Sequence, residues 1–263
     1  MATASEWLDA LPKAPVSSVM GETTAWHLRG PLPTEGGLWS KAGELLGPLI
    51  ERTLPGYADG RIAGRCLCRA EYGRLWTQDD RAVGFAACRS YDVRGHRVVY
   101  LTLSAFMPHL QGRGLLRSTL DDVIAASGAS LIAATTNVPA IYRVLSRASM
   151  ARRGTAALTL PAATGDVRSS AALVDFGRAV LGGALEREPG AIPLDARWVR
   201  RRYRDRDLQD IPMPGFLAGH AGSSLAPIAT FFADGLELDV GDAALVVADL
   251  DGTLHHLLER STH

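Results

Sequence analysis

Arg97-Val-Val-Tyr-Leu-Thr-Leu-Ser-Ala-Phe106 runs into Met107-Pro-His-Leu-Gln-Gly-Arg-Gly114, and Leu115-Leu-Arg-Ser-Thr-Leu-Asp-Asp-Val-Ile-Ala-Ala-Ser127 follows. The first segment alternates β-branched and aromatic residues with small or polar ones, the period of a strand. Pro108 to Gly114 reads as a loop, and Arg113 to Ser127 as a helix with Leu116, Leu120, Val123 and Ile124 on one face. A strand that enters a helix through a loop with two glycines is suited to an anion. The helix start offers N–H groups without intrahelical acceptors and the positive end of the dipole. Gly112 and Gly114 lack a Cβ that would keep a phosphate off the backbone. Arg113 and Arg117 add fixed positive charge and planar donors. These residues read as a diphosphate site, or as a tight turn with surface arginines.

Upstream, Trp39 to Leu54 reads as a helix ended by Pro55-Gly56, with Leu45, Leu46, Leu49 and Ile50 on one stripe. Strands are expected at Cys66 to Trp76, Ala82 to Tyr91 and Arg97 to Phe106, joined by turns at Gln78-Asp-Asp-Arg81 and Asp92-Val-Arg-Gly95. Residues 1–36, rich in Pro, Gly, Ser and Thr, read as an irregular arm. Downstream come a strand at Ser130 to Thr135, a helix from Pro139 to Ala148 and a strand at Thr155 to Leu160. Beyond these lie a helix at Asp166 to Leu185, a basic helical run at Ala196 to Asp207 and a strand at Ala243 to Ala248. The expected class is α/β (α+β): a mixed, mostly antiparallel sheet flanked by helices. It divides into an arm and first helix (residues 1–55), a core (56–160) and a C-terminal extension (161–263) whose last strand completes the core sheet.

The chain has 263 residues, with 28 basic and 28 acidic side chains. That balance argues against a nucleic-acid partner. The uncharged stretches 123–142 and 213–233 contain too many Gly, Pro and polar residues to span a membrane. No leader is expected from Met1 to Asp9, which has neither a basic nor an apolar region. A cytoplasmic location follows, with Cys66, Cys68 and Cys88 as inert thiols.

Gln111-Gly112-Arg113-Gly114-Leu115-Leu116 resembles motif A of the GNAT N-acetyltransferase superfamily, Gln/Arg-x-x-Gly-x-Gly/Ala. Phe106-Met107-Pro108 resembles the end of that family's fourth strand, and Asn137-Val-Pro-Ala140-Ile-Tyr142 resembles its Asn/Ala/Tyr helix. The resemblance covers about residues 60–160. It implies an acyltransferase that moves an acetyl or other acyl group from CoA to the amine of a small molecule. Exposed backbone of Leu103, Ala105, Phe106 and Met107 would hold the pantetheine arm. The N–H groups of Gln111, Gly112, Arg113, Gly114, Leu115 and Leu116, with Arg117, would hold the diphosphate, and Asn137 would contact the donor. Tyr142 would protonate the leaving thiolate. The strand carries no carboxylate to act as base, so Glu71, a water held by Ser104, His96 and His109 remain candidates. A non-catalytic module that binds acyl-CoA or a protein is the other functional class.

Three further motifs attract attention. Asp249-Leu-Asp251-Gly-Thr253 resembles the first motif of haloacid-dehalogenase-like phosphatases, but too little chain follows it, and a strand ending in a turn is expected. Arg197-Trp-Val-Arg-Arg-Arg-Tyr-Arg-Asp-Arg206 reads as a solvated basic face or a contact for an acidic acyl carrier protein. His255, His256 and His263 do not make a metal site, since adjacent strand residues point apart. No metal is expected.

Overall fold

In the computed structural model the described residues are 3–12, 15–33, 37–55, 58–136, 138–153, 158–159, 167–192, 194–195, 198–199 and 243–252. The chain divides into two units: Met1–Arg89 with Leu101–Thr119, and Ser90–Tyr100 with Leu120–His263.

The first unit begins with helix α1 (Ala4–Asp9), where the sequence suggested an irregular arm. Thr3 and Glu6 form a reciprocal capping box. Trp7 is fully buried and its indole N–H donates to the Leu38 carbonyl (3.1 Å). Strands β1 (Val16–Met20) and β2 (Thr23–Arg29) then form an antiparallel hairpin. Helices α2 (Leu38–Thr53) and α3 (Gly60–Cys68) precede β3 (Tyr72–Gln78), β4 (Arg81–Val93) and β5 (His96–Phe106). Their order in the sheet is β1-β2-β3-β4-β5, with β2–β3 and β3–β4 antiparallel. Asp79 and Asp80 turn between β3 and β4 with φ of 48° and 60°, the paired positive values of a type I′ hairpin.

The strand expected at Cys66 to Trp76 begins inside a helix. The Asp59 carboxylate caps α3 by accepting from the Ile62 N–H (2.7 Å), and Ala63, Gly64, Leu67 and Cys68 are buried at helical spacing. Only from Tyr72 does the chain extend. The reason lies in a long-range contact. Gly43 and Gly47 of α2 face Gly60 and Gly64 of α3, backbone against backbone. A Cβ on Gly64 would stand 2.5 Å from the Gly43 nitrogen, and one on Gly60 would overlap the Gly43 carbonyl oxygen. The helix pair covers one face of the sheet, where Leu28, Leu75, Phe85, Leu103 and Ala105 meet Leu46, Leu49 and Leu67.

Helix α4 (Leu115–Ser127) follows β5. The second unit then holds β6 (Leu131–Thr136), α5 (Pro139–Arg153), β7 (Leu158–Thr159) and α6 (Val167–Leu185). It ends with β8 (Leu194–Asp195), β9 (Trp198–Val199) and β10 (Ala243–Asp249). Every residue of β10 is buried. One edge of β10 pairs antiparallel with β6, Ala244 opposite Thr136 through Asp249 opposite Leu131. Its other edge pairs with β7 at Val246 and Val247 and with β9 at Ala243 and Ala244. The last strand therefore enters between β6 and β7. Helix α6 covers one face of this unit, Phe176, Val180 and Leu181 against Val98, Tyr100, Leu131 and Val247. The Tyr91 hydroxyl donates to the Val180 carbonyl (2.8 Å). The helix expected at Ala196 to Asp207 is not what Trp198 and Val199 form. They are a strand, selected by pairing with β10; Arg197 and residues 200–207 lie outside the described residues.

Gly64→Ala should lower the unfolding free energy by about 1–3 kcal/mol, the cost of overpacking against unyielding backbone. Gly47→Ala, whose added Cβ meets nothing within 4 Å, should instead leave stability unchanged or raise it. Chemical denaturation of the two variants checks this, and equal destabilisation would contradict the close approach of α2 and α3.

Candidate functional site

The junction of β5 and α4 is built by short-range bonds. The Met107 N–H donates to the Val83 carbonyl (2.9 Å), which holds the end of β5 to β4. Pro108–Leu110 makes one 3-10 turn, closed by Leu110 N–H to the Met107 carbonyl (2.9 Å) and Gln111 N–H to the Pro108 carbonyl (3.2 Å). The Gln111 side-chain amide reaches back to the Phe106 carbonyl (2.9 Å) and ties loop to strand. Gly112 and Gly114 adopt φ of 75° and 78°, left-handed values open to glycine at little cost. The first helical bond of α4 runs from Ser118 N–H to the Gly114 carbonyl (2.9 Å). The N–H groups of the preceding turn therefore have no acceptor within the helix.

Gln111, Gly112, Arg113, Gly114 and Arg117 are exposed. A Cβ placed on Gly112 or Gly114 would meet nothing within 4 Å, so there is room beside both glycines. Leu115 is buried and Leu116 half-buried, in a cluster with Trp76, Val83, Ala86 and Phe106. Their side chains anchor the helix, and only their backbone can serve a ligand. Room beside both glycines, N–H groups without helical acceptors and two exposed arginines together fit a diphosphate.

Along β5, Leu103 and Ala105 turn their side chains into the core with α2 and α3. Phe106 lies on the other side, its ring 5.0 Å from that of Trp76, with Met107 half-buried beside it. Ser104 is half-buried. Two residues earlier on the same side, the Thr102 hydroxyl oxygen is buried without a hydrogen-bond partner. The sequence places Thr102 on one face of the strand with Tyr100 and Ser104 but assigns it no role. Glu71 is half-buried, and its backbone N–H donates to the Cys88 carbonyl (3.0 Å). Cys88 is five residues from Val83 along β4, about 17 Å at strand rise. Glu71 thus stands well away from the glycine turn. His109 is exposed within the 3-10 turn, and His96, at the far end of β5, packs edge-on against Phe176.

In the second unit Tyr142 is half-buried on α5, one turn before buried Leu145. Asn137 lies outside the described residues. Thr136 closes a local turn just before α5, its hydroxyl accepting from the Val138 N–H (2.9 Å). Ser149 fastens α5 to β10 by donating to the Asp249 carbonyl (2.6 Å). The phosphatase-like motif is a turn: buried Asp249 accepts from the N–H groups of Asp251 (3.3 Å) and Gly252 (2.8 Å). His255, His256 and His263 lie outside the described residues. Among the described residues no group of His, Cys, Asp and Glu could hold a metal, and no helix is long and apolar enough to cross a membrane. Burial pushes the Cys68 and Cys88 thiols up to about 12, the nearby Arg74 charge partly offsetting the rise at Cys88.

Neither a protein-family model nor a curated protein matches this sequence. Solved structures do. The chain resembles GNAT family N-acetyltransferases over part of its length. One is an Escherichia coli GNAT family N-acetyltransferase in complex with CoA, 19% identical over 39% of this chain and 61% of that one, TM-score 0.30. A second is a diaminobutyrate acetyltransferase from Paenibacillus lautus with L-2,4-diaminobutyric acid and coenzyme A (14%, 49% of this chain and 76% of that one, 0.32). A third is an aminoglycoside acetyltransferase from an uncultured soil metagenomic sample (18%, 43% and 79%, 0.30). The chain spans about three fifths of the first of these.

Gly114→Ala should cost about 1–2 kcal/mol of unfolding free energy although its methyl has room, because an alanine is strained at that φ. Gly114→Asn should cost less. Urea unfolding decides, and an alanine variant as stable as the parent would contradict a left-handed turn at this position.

Proposed function

We propose that this protein is an acyltransferase that moves an acetyl or other acyl group from CoA to the amine of a small molecule. The observation that carries the reading is the open glycine turn at the head of α4, with Gly112 and Gly114 in left-handed conformation and Gln111 tied back to β5. When bound, CoA supplies a thioester carbonyl activated for attack. On this reading the N–H groups of Gly112 to Leu116 bind the diphosphate, that of Gln111 being held by the Pro108 carbonyl, and Arg113 and Arg117 neutralise its charge. The pantetheine arm runs back along β5, where backbone of Leu103 to Met107 orients it. Asn137 contacts the donor.

Three tasks remain for the protein. The acceptor ammonium must lose a proton before it attacks, and Ser104 through a held water, or Glu71, takes it. A backbone N–H of β5 stabilises the oxygen that becomes negative as the amine adds. The thiolate then leaves with a proton from Tyr142. Ser104 suits the relay because it is half-buried on the side of β5 that faces away from the α2–α3 core. A thioester carried by an acyl carrier protein is the alternative donor, with Arg197 to Arg206 as its contact. A non-catalytic acyl-CoA-binding module is favoured by one observation, the lack of any carboxylate on β5.

Release of free thiol from acetyl-CoA, with a mixed panel of amines, tests the reading. At least one amine should accelerate release, and Tyr142→Phe should lower kcat by about 10²–10⁴-fold while leaving CoA affinity nearly intact. Thermal protection by CoA without thiol release from any amine would leave the binding module as the answer. A Tyr142→Phe variant with full turnover would return that side chain to a packing role.

A further inference from the structure

The outer strand β1 has one edge without a neighbouring strand among the described residues. All five of its residues are exposed, Val16 to 72%, Val19 to 74% and Met20 to 53%. Among the described residues only one other large hydrophobic, Met150, is similarly exposed. Outer strands are ordinarily guarded by charge, proline or a bulge. Within Val16–Met20 there is no charge and no proline, and the register with β2 is unbroken from Val16 opposite His27 to Met20 opposite Thr23. Gly21 opens the two-residue turn with a φ of 65°, as a II′ hairpin needs. Met20 and Thr23 then form the closing hydrogen-bonded pair. By the alternation of an antiparallel ladder, Ser18 and Val16 also bond inward to β2. Ser17 and Val19 are left with N–H and C=O groups pointing outward.

We infer that β1 pairs with β1 of a second copy of this chain, across a two-fold axis through Ser18. This inference is independent of the acyl-transfer reading. A perpendicular two-fold keeps each sheet face continuous, so residues opposite one another must lie on the same face. Centring on Ser18 sets Ser17 of one copy opposite Val19 of the other, twice. These are the residues with outward backbone groups, and the pairing gives four reciprocal hydrogen bonds. The same register sets Val16 opposite Met20, twice, on the other face, so the exposed apolar side chains cover each other. A strand from an unrelated protein would meet the same backbone groups but not this doubled match of side chains.

Sedimentation velocity of the full chain over a series of concentrations should reveal a monomer–dimer equilibrium. Val16→Lys alone and Met20→Glu alone should each lose the dimer at concentrations where the parent forms it. Both substitutions in one chain should restore it, since each introduced lysine then faces an introduced glutamate across the axis. The replaced positions are exposed, so unchanged thermal unfolding of all variants confirms that the fold is intact. A parent that stays monomeric overturns the inference, even where it captures another protein through β1. So does a dimer that survives Val16→Lys, and so does a double variant that remains monomeric.

Discussion

The path of the chain from β5 into α4 depends on two backbone conformations that only glycine adopts cheaply. With Gly112 and Gly114 at positive φ, the chain reverses within a few residues of Met107 and starts a helix at Leu115. Buried Leu115 and half-buried Leu116 draw the helix onto Trp76 and Phe106, and the Gln111 amide clamps the loop to the end of the strand. Side chains thus hold the turn from within, while Gly112 and Gly114 stay exposed. A binding surface made of backbone needs no particular side chain at the point of contact. It does need side chains that position the backbone.

A second constraint governs the C-terminal half. β10 is an apolar strand buried along its whole length, and it can be satisfied only with neighbours on both edges. It finds β6 on one side and β7 with β9 on the other. β7 and β10, far apart in sequence, therefore lie side by side and antiparallel. Between them in sequence, α6 covers Val98, Tyr100, Leu131 and Val247. Its Gly183 lets the Tyr91 ring approach; an added Cβ would come within 2.5 Å of that ring. Helix α6 is thus part of the second unit's core.

Local signals explain what the sequence made legible. β4 and β5 stood out because their period-2 patterns are bounded by turn residues, and α4 because its apolar stripe follows a glycine pair. The glycine turn was readable for the same reason: φ preference is a property of single residues. Gly60 to Cys68 misled, since Cys66, Cys68 and Ala70 mimic strand alternation, while the contact of Gly64 with Gly43 is invisible in one dimension. The first 36 residues misled by composition, because a six-residue helix and a five-residue strand are too short to show a period. Trp198 and Val199 became a strand through pairing with residues more than forty positions away. In the site itself, the Gln111 clamp and the Thr136 turn are local side-chain bonds that leave no periodic signal, and the burial of the orphaned Thr102 hydroxyl depends on three-dimensional neighbours.

The central claim is that a diphosphate rests on the backbone at the head of α4. Titration of the isotopically labelled protein with CoA, followed through its backbone amide resonances, addresses that claim residue by residue. The largest shifts should fall on Gly112 to Arg117 and should be absent when pantetheine, which lacks the diphosphate, replaces CoA. Amides there that stay unmoved at saturating CoA, or that move equally with pantetheine, would contradict it.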